Sequence, residues 1–365
     1  MATSSVLDVK RFLFSRKRQV TKRDDMMTPS AIPMAHMSIV STMLDLVTDL
    51  GAPLESSLAT AGLPVGILET RTGYVPVRAL CRWVDATSRR QGIDNIGLRS
   101  VMRSGIRGLQ QTVVEKVAAQ PSLYLGLRQF CELAYLESSR VAIWLDERHE
   151  EIRLCHRGSL PRQVGGQPEM SWWAIGILIQ IARLYLGPRW MPNLIGYPAQ
   201  TEDLEAAVGF FPNTMFIPDP QITWIAIPRR LLASGPRVGR SAPLRGYPHN
   251  EAPPADLLTS VKQLIELRLA DNPLKIEEAA ECAGVSTRSF QRYLASEKCT
   301  FKDLVVEVRF GSAKRMLAES NLPVTSIAPL LGYTDPSHFA RAFRRVTGVS
   351  PREYRRSVNS VESTA

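Results

Sequence analysis

A chain of 365 residues has room for two or three domains. Its 44% hydrophobic and 22% charged residues exclude a wholly disordered chain, a collagen-like repeat and a polytopic membrane protein. The 45 Lys and Arg exceed the 35 Asp and Glu by ten, and residues 257–357 hold half of that excess, with 16 basic side chains against 11 acidic. A local basic excess suits a polyanionic partner, and equally a plain solvated surface.

Residues 1–30 read as a basic disordered tail. Lys10, Arg11, Arg16, Lys17, Arg18, Lys22 and Arg23 are not followed by an apolar run, so the segment does not read as a secretory signal. An Arg- and Ser-rich organellar leader is an alternative. So is sequence upstream of a start at Met26, Met27, Met34 or Met37.

Residues 31–235 read as a mixed α/β domain whose sheet lies in its second half. Ile39, Met43, Leu46, Val47 and Leu50 recur at helical spacing within 38–60, with Gly51 as a stop. Helices are expected over 76–90 and 107–119, and another from Pro121 with Leu123, Leu127, Phe130 and Leu133 on one face. Val141, Ile143 and Leu145, then Ile152 and Leu154, alternate about the charged turn 146–151, which predicts a hairpin. A long helix is expected over 169–186, and later strands over 193–197 and 221–227. The apolar stretch from Trp172 to Ile181 is far short of the roughly 20 residues that span a bilayer. Trp172, Trp173, Tyr185, Trp190 and Trp224 are candidates for a pocket lining or for plain core.

Residues 236–256 are crowded with Pro and Gly and carry no periodic apolar face, so they read as a linker. Residues 257–357 then turn to short helical segments with sharp stops, ahead of a tail over 358–365. Thr300 with Asp303 makes a capping box, and Asp335-Pro336 and Ser350-Pro351 each set a cap before proline.

This last region repeats itself. Residues 276–297 and 324–348 align Ala280 and Gly284 with Ala328 and Gly332, and Phe290 and Arg292 with Phe339 and Arg341. Each position has a use in a helix-turn-helix. Alanine permits a close helix crossing, glycine takes the positive φ of the turn, and phenylalanine anchors the second helix. Between the copies, about 300–320 reads as one helix. At 1.5 Å per residue it is about 30 Å long, near the ~34 Å of one DNA turn.

Residues 257–357, with the ending LLGYTDPSHFARAFRRVTGVSPREYR, resemble the DNA-binding domain of the AraC/XylS family of bacterial transcription regulators. The middle region, through VGILETRTGYVPVRALCRWVDAT and GPRWMPNLIG, resembles less specifically the effector domain named for arabinose binding. The resemblance implies an α+β chain: a mixed α/β N-terminal effector domain, then an all-α C-terminal domain of two helix-turn-helix motifs joined by a long connector helix. It implies a cytoplasmic, nucleoid-associated regulator and, more readily than a repressor, an activator. The implied partners are double-stranded promoter DNA, a small-molecule effector, RNA polymerase and a second copy in a homodimer, with no membrane. Carried over by position, the DNA-binding residues are Ser286, Arg288, Gln291 and Arg292 in the first motif, and Ser337, His338 and Arg341 in the second. No effector-binding residue is assigned. Pro329, inside a short helix, and Lys298, at a helix end where Gly is easier, depart from the pattern.

Two other readings stand beside this one: a regulator governed by a protein partner or by its own abundance, and an enzymatic middle domain. No GxGxxG, P-loop, HExxH or GxSxG sequence is present, and His36, His149, His156 and His249 form no recognisable cluster. Cys81, Cys131, Cys155, Cys282 and Cys299 lack CxxC and zinc-finger spacing, and Cys155 and His156, adjacent on a strand, face opposite ways. The expectation is therefore a non-enzyme with reduced thiols, no metal and no cofactor.

Overall fold

The computed structural model describes residues 31–161, 163–197, 209–219, 221–237, 252–270 and 273–362. The expected tail over 1–30 and most of the expected linker lie outside the described residues.

The chain enters through β1 (Met34–His36) and continues as α1 (Met37–Asp49), α2 (Leu54–Ala61) and the single turn α3 (Ile67–Thr70). The 38–60 periodicity is thus two helices on either side of Gly51. Strand β2 (Tyr74–Pro76) returns antiparallel to β1, with Met34 opposite Pro76 and His36 opposite Tyr74. This ribbon corrects the expectation that the sheet lies wholly in the second half. Three-residue strands are too short to show an alternation.

Four helices follow: α4 (Val77–Gln91), α5 (Ile96–Ser104), α6 (Gln111–Ala118) and α7 (Leu123–Leu133). The helix expected from 107 begins at Gln111, because Gly105–Gly108 is a separate 3-10 turn. The hairpin of β3 (Ala142–Glu147) and β4 (Glu151–Arg157) forms where the alternation placed it. After it comes α8 (Gln167–Leu186), in which 16 of 20 residues are buried. A helix apolar on all sides belongs in a core, and α8 fills it. No described helix is long and apolar enough to cross a membrane.

Strands β5 (Leu194–Tyr197), β6 (Met215–Pro218) and β7 (Thr223–Pro228) complete a five-stranded sheet of order β3-β4-β7-β5-β6. Among the described strands, β5 and β6 run parallel and the other pairs antiparallel. Cys155 packs with Trp224 and Ala226 on the sheet face away from α8, while its neighbour His156 turns the other way. All five cysteines are free thiols.

The C-terminal part is helical throughout: α9 (Leu257–Leu267), α10 (Ile276–Cys282), α11 (Thr287–Ser296), α12 (Phe301–Glu319), α13 (Val324–Leu330), α14 (Pro336–Thr347) and α15 (Pro351–Glu362). Helix α15 corrects the tail expected from 358. Ser350 and Glu353 start it by exchanging backbone and side-chain hydrogen bonds, and neither Gly nor Pro follows to end it.

The two parts have separate cores, and the β1–β2 ribbon lies between them. Ala35 and Val75 pack into the N-terminal core. Met34 and Tyr74, with Ile32, pack into the C-terminal one against residues such as Leu257 and Val261. Successive strand residues face opposite ways, so one thin ribbon serves both cores.

Candidate nucleic-acid interface

Each motif is built as its repeat requires. Ala280 and Ala328 are buried at the crossings, and Phe290 and Phe339 are fully buried anchors. Gly284 and Gly332 turn the chain with φ of 72° and 77°. At Gly332 the constraint is double, since a Cβ there would collide with the carbonyl oxygen of Leu269. Pro329 sits next to the last residue of α13, and the helix runs through it. Leu331 N–H donates to the carbonyls of Ile327 and Ala328 at 3.2 and 3.1 Å, which closes the end of the helix. Lys298 does take the strained conformation, with φ 58°.

The second helix of each motif starts on a side-chain cap. Ser286 Oγ accepts the N–H of Ser289 at 3.2 Å, and Asp335 Oδ1 accepts that of Ser337 at 2.7 Å. The Ser337 N–H holds the Asp335 carboxyl below the usual carboxylate range, with smaller help from the charges of His338 and Arg341. At the N-terminus of the connector α12, Thr300 and Asp303 form the expected capping box. Its 19 residues make a rod of about 28 Å.

Side-chain ties fix the motifs to this rod. Glu266 on α9 accepts from Ser312 Oγ at 2.8 Å and pairs with Arg315. Arg355 on α15 donates to the carbonyls of Leu317 and Leu322 at 3.1 and 2.7 Å, closing the end of α12. Phe343 stacks among Phe310, Phe339 and Tyr354 at centroid distances of 5.7–6.0 Å and locks α14 to α12 and α15.

On this frame, Ser286, Arg288, Gln291 and Arg292 are all exposed on and before α11, and Ser337, His338 and Arg341 are all exposed on α14. The hydrophobic side of each helix is spent on its anchor, so the polar side faces outward. His338 Nε2 lies 3.7 Å from Asp335 Oδ2, against the cap of its own helix.

Residues 279–357 match a family model described as a helix-turn-helix domain. They form an AraC/XylS-type helix-turn-helix domain. The chain is 41% identical to the ornithine utilization regulator of Pseudomonas aeruginosa along 99 residues that cover 27% of this chain and 29% of that protein. Among the first four relatives the matched segment spans 29–36% of the relative's length. The regulator VirS of Mycobacterium tuberculosis matches at 24% identity over 85% of this chain and 93% of its own. The crystal structure of the regulator CdpR from Pseudomonas aeruginosa aligns with 82% of this chain and 97% of its own at 17% identity and a TM-score of 0.35.

The N-terminal core contains a chamber whose wall includes Phe130, Glu137, Trp173 and Ile177. Its cavity volume is about 60 Å³. A polar vestibule shares His156, Gly158 and Gln167 with it and adds Arg157, Ser171 and Thr223. Of the aromatics considered from sequence, Trp173 alone lines the chamber among the described residues. Trp172, Tyr185 and Trp224 are core, and Trp190 is half-buried. Glu137 lies in the turn after a 3-10 segment, His156 on β4 and Trp173 on α8, so no spacing announces them. Among the described residues no group of three or more His, Cys, Asp or Glu is placed to hold a metal ion.

Proposed function

We propose that this chain is a sequence-specific DNA-binding transcription regulator whose N-terminal domain takes a small-molecule effector. The observation that carries the DNA-binding reading is the pair of anchored helices α11 and α14, each with its arginine face exposed, at either end of a rigid connector. A helix so mounted fits the major groove, about 12 Å wide. Arg288 and Arg292 suit guanine O6 and N7, Gln291 suits adenine N6 and N7, and the capped helix starts at Ser286 and Asp335 suit phosphates. The curated relatives are regulators, among them the activator NphR of a Rhodococcus species, which supports activation of promoters. The chamber favours effector control over control by a partner protein alone, since an apolar cavity with a few convergent polar groups is the usual form of a small-molecule site.

The test is genome-wide footprinting of the purified chain, followed by binding to the recovered sites and to scrambled DNA. Arg292→Ala should weaken binding to the recovered site by about 1–3 kcal/mol and leave scrambled DNA little changed. Equal losses on both would remove the base-reading role. Absence of discrete sites would overturn the proposal.

A further inference from the structure

Among the described residues that line the chamber, Glu137 and His156 are the acidic and basic ones. Its carboxyl lies where two helices begin. One oxygen accepts the N–H of Gln110, the residue that caps α6, at 2.8 Å. The other accepts the hydroxyl of Ser38, in the first turn of α1, at 2.9 Å. A carboxylate offers about four acceptor positions, so two remain. The groups that favour its charge are these neutral donors, and they do not offset burial, which pushes the acid up to about 7. An acid in this position gains most from a cation. A carboxylate ligand would face like charge, and a neutral one would leave the burial cost in place. Phe130 and Trp173 in the same wall supply aromatic faces that also favour an ammonium group.

The same residue is tied to the ribbon. Glu137 C=O accepts the N–H of His36 at 2.8 Å, and Ser139 N–H donates to Met34 C=O at 2.8 Å. Ala35 and Ser138, which face each other across an isolated bridge, are chamber wall. Tyr74 OH donates to Leu136 C=O at 2.6 Å from the other strand. The segment 136–139 is therefore hydrogen-bonded to both strands of the ribbon, with one isolated bridge to β1. The opposite face of that ribbon, Met34 and Tyr74, lies in the core of the DNA-binding helices.

We propose that the chamber takes a molecule with an apolar body and a single protonated amine, that the amine pairs with Glu137, and that the β1–β2 ribbon passes its arrival to the AraC-type domain. This rests on effector control as proposed above. The test uses the full chain with 2-phenylethylamine and n-hexylamine as probes, against hexan-1-ol and hexanoate of matched length. Thermal shift reads binding, and anisotropy with footprinted DNA reads coupling. Both amines should raise Tm saturably and change DNA affinity several-fold, while the alcohol and the acid do neither. Glu137→Gln should abolish the amine response. Ile177→Trp, which fills the chamber, should do the same and stands in if the first variant fails to fold. Met34→Ala should keep the amine-induced Tm rise and lose the DNA response.

An equal response to alcohol and amine, an amine response that survives both chamber variants, or no response to any probe overturns the amine site. Saturating amine with unchanged DNA affinity overturns the ribbon's role. A response to hexanoate alone overturns the ligand class and leaves effector control standing. Failure to bind DNA at all would instead defeat the reading of α11 and α14.

Discussion

Arg82 Nη1 donates to both carboxylate oxygens of Glu281, at 3.0 and 3.1 Å, and so ties α4 of the N-terminal part to α10 of the first helix-turn-helix motif. Around this tie, Cys282 on α10 is buried in the C-terminal core and Cys81 on α4 in the N-terminal one. The first motif is thereby held on its supporting helix, away from the exposed face of α11.

The pair is a modest one. Its side chains are 40% and 49% exposed, so solvent screens it and its coupling should be roughly 0.2–1 kcal/mol. A double-mutant cycle of Arg82→Ala and Glu281→Ala, read by urea unfolding, should return that coupling at low salt. It should return less at about 1 M salt, where the Debye length shrinks to about 3 Å. A coupling that salt does not reduce would contradict the exposed geometry.

Glu137 sets a pH dependence of definite sign. Its acid sits at about 7 in the folded chain against 4.5 as the ordinary value. Between those limits the folded state holds a proton that the unfolded state has released. Stability from this group is therefore greatest below the lower value and falls as pH rises through the window, by about 3 kcal/mol at most. His36, linked through Ser38, Tyr74, linked through Leu136 and Gln110, and His156, in the same chamber wall, are titratable neighbours. All three are kept in Glu137→Gln, so the difference reports Glu137 together with its coupling to them. The urea midpoint of wild type minus that of Glu137→Gln should fall from about pH 5 to about pH 8, the range over which the two states differ in bound protons. A flat difference would mean the acid is not buried as described.

Backbone conformation separates the two turn glycines. Gly284→Ala meets open space and pays only for φ 72°, about 1–2 kcal/mol. Gly332→Ala carries the same penalty at φ 77° and also meets the Leu269 carbonyl, so it should be the more costly of the two in urea unfolding. Lys298→Gly works in the opposite direction. It relieves φ 58° and should stabilise the chain by roughly 0.5–1 kcal/mol. Equal costs at the two glycines would count against the close approach of Leu269.

DNA binding should follow counterion release. The logarithm of affinity should fall linearly with the logarithm of salt, with slope about −0.9 per phosphate neutralised. Arg345→Ala, at an exposed site near the end of α14, should reduce that slope by about one if it meets a phosphate. Arg341→Ala should chiefly cost discrimination between sites. A salt-independent affinity would contradict an interface built on these arginines.

What the sequence determined is local. The caps at Thr300 and Asp335, the glycines at 284 and 332 and the anchors Phe290 and Phe339 act within one or two turns of chain, so their spacing carries the C-terminal helices and the orientation of α11 and α14. The hairpin of β3 and β4 and the buried α8 were legible for the same reason, through runs long enough to show a period. Only the tertiary structure decided the rest. The strands β1, β2 and β6 have three or four residues each and exist because partners distant in the chain satisfy their backbone groups. The chamber gathers Glu137, His156 and Trp173 from separate parts of the chain, and the ribbon joins two cores through alternate side chains of the same short strands. Such placements come from packing across the fold, which leaves no period in the sequence.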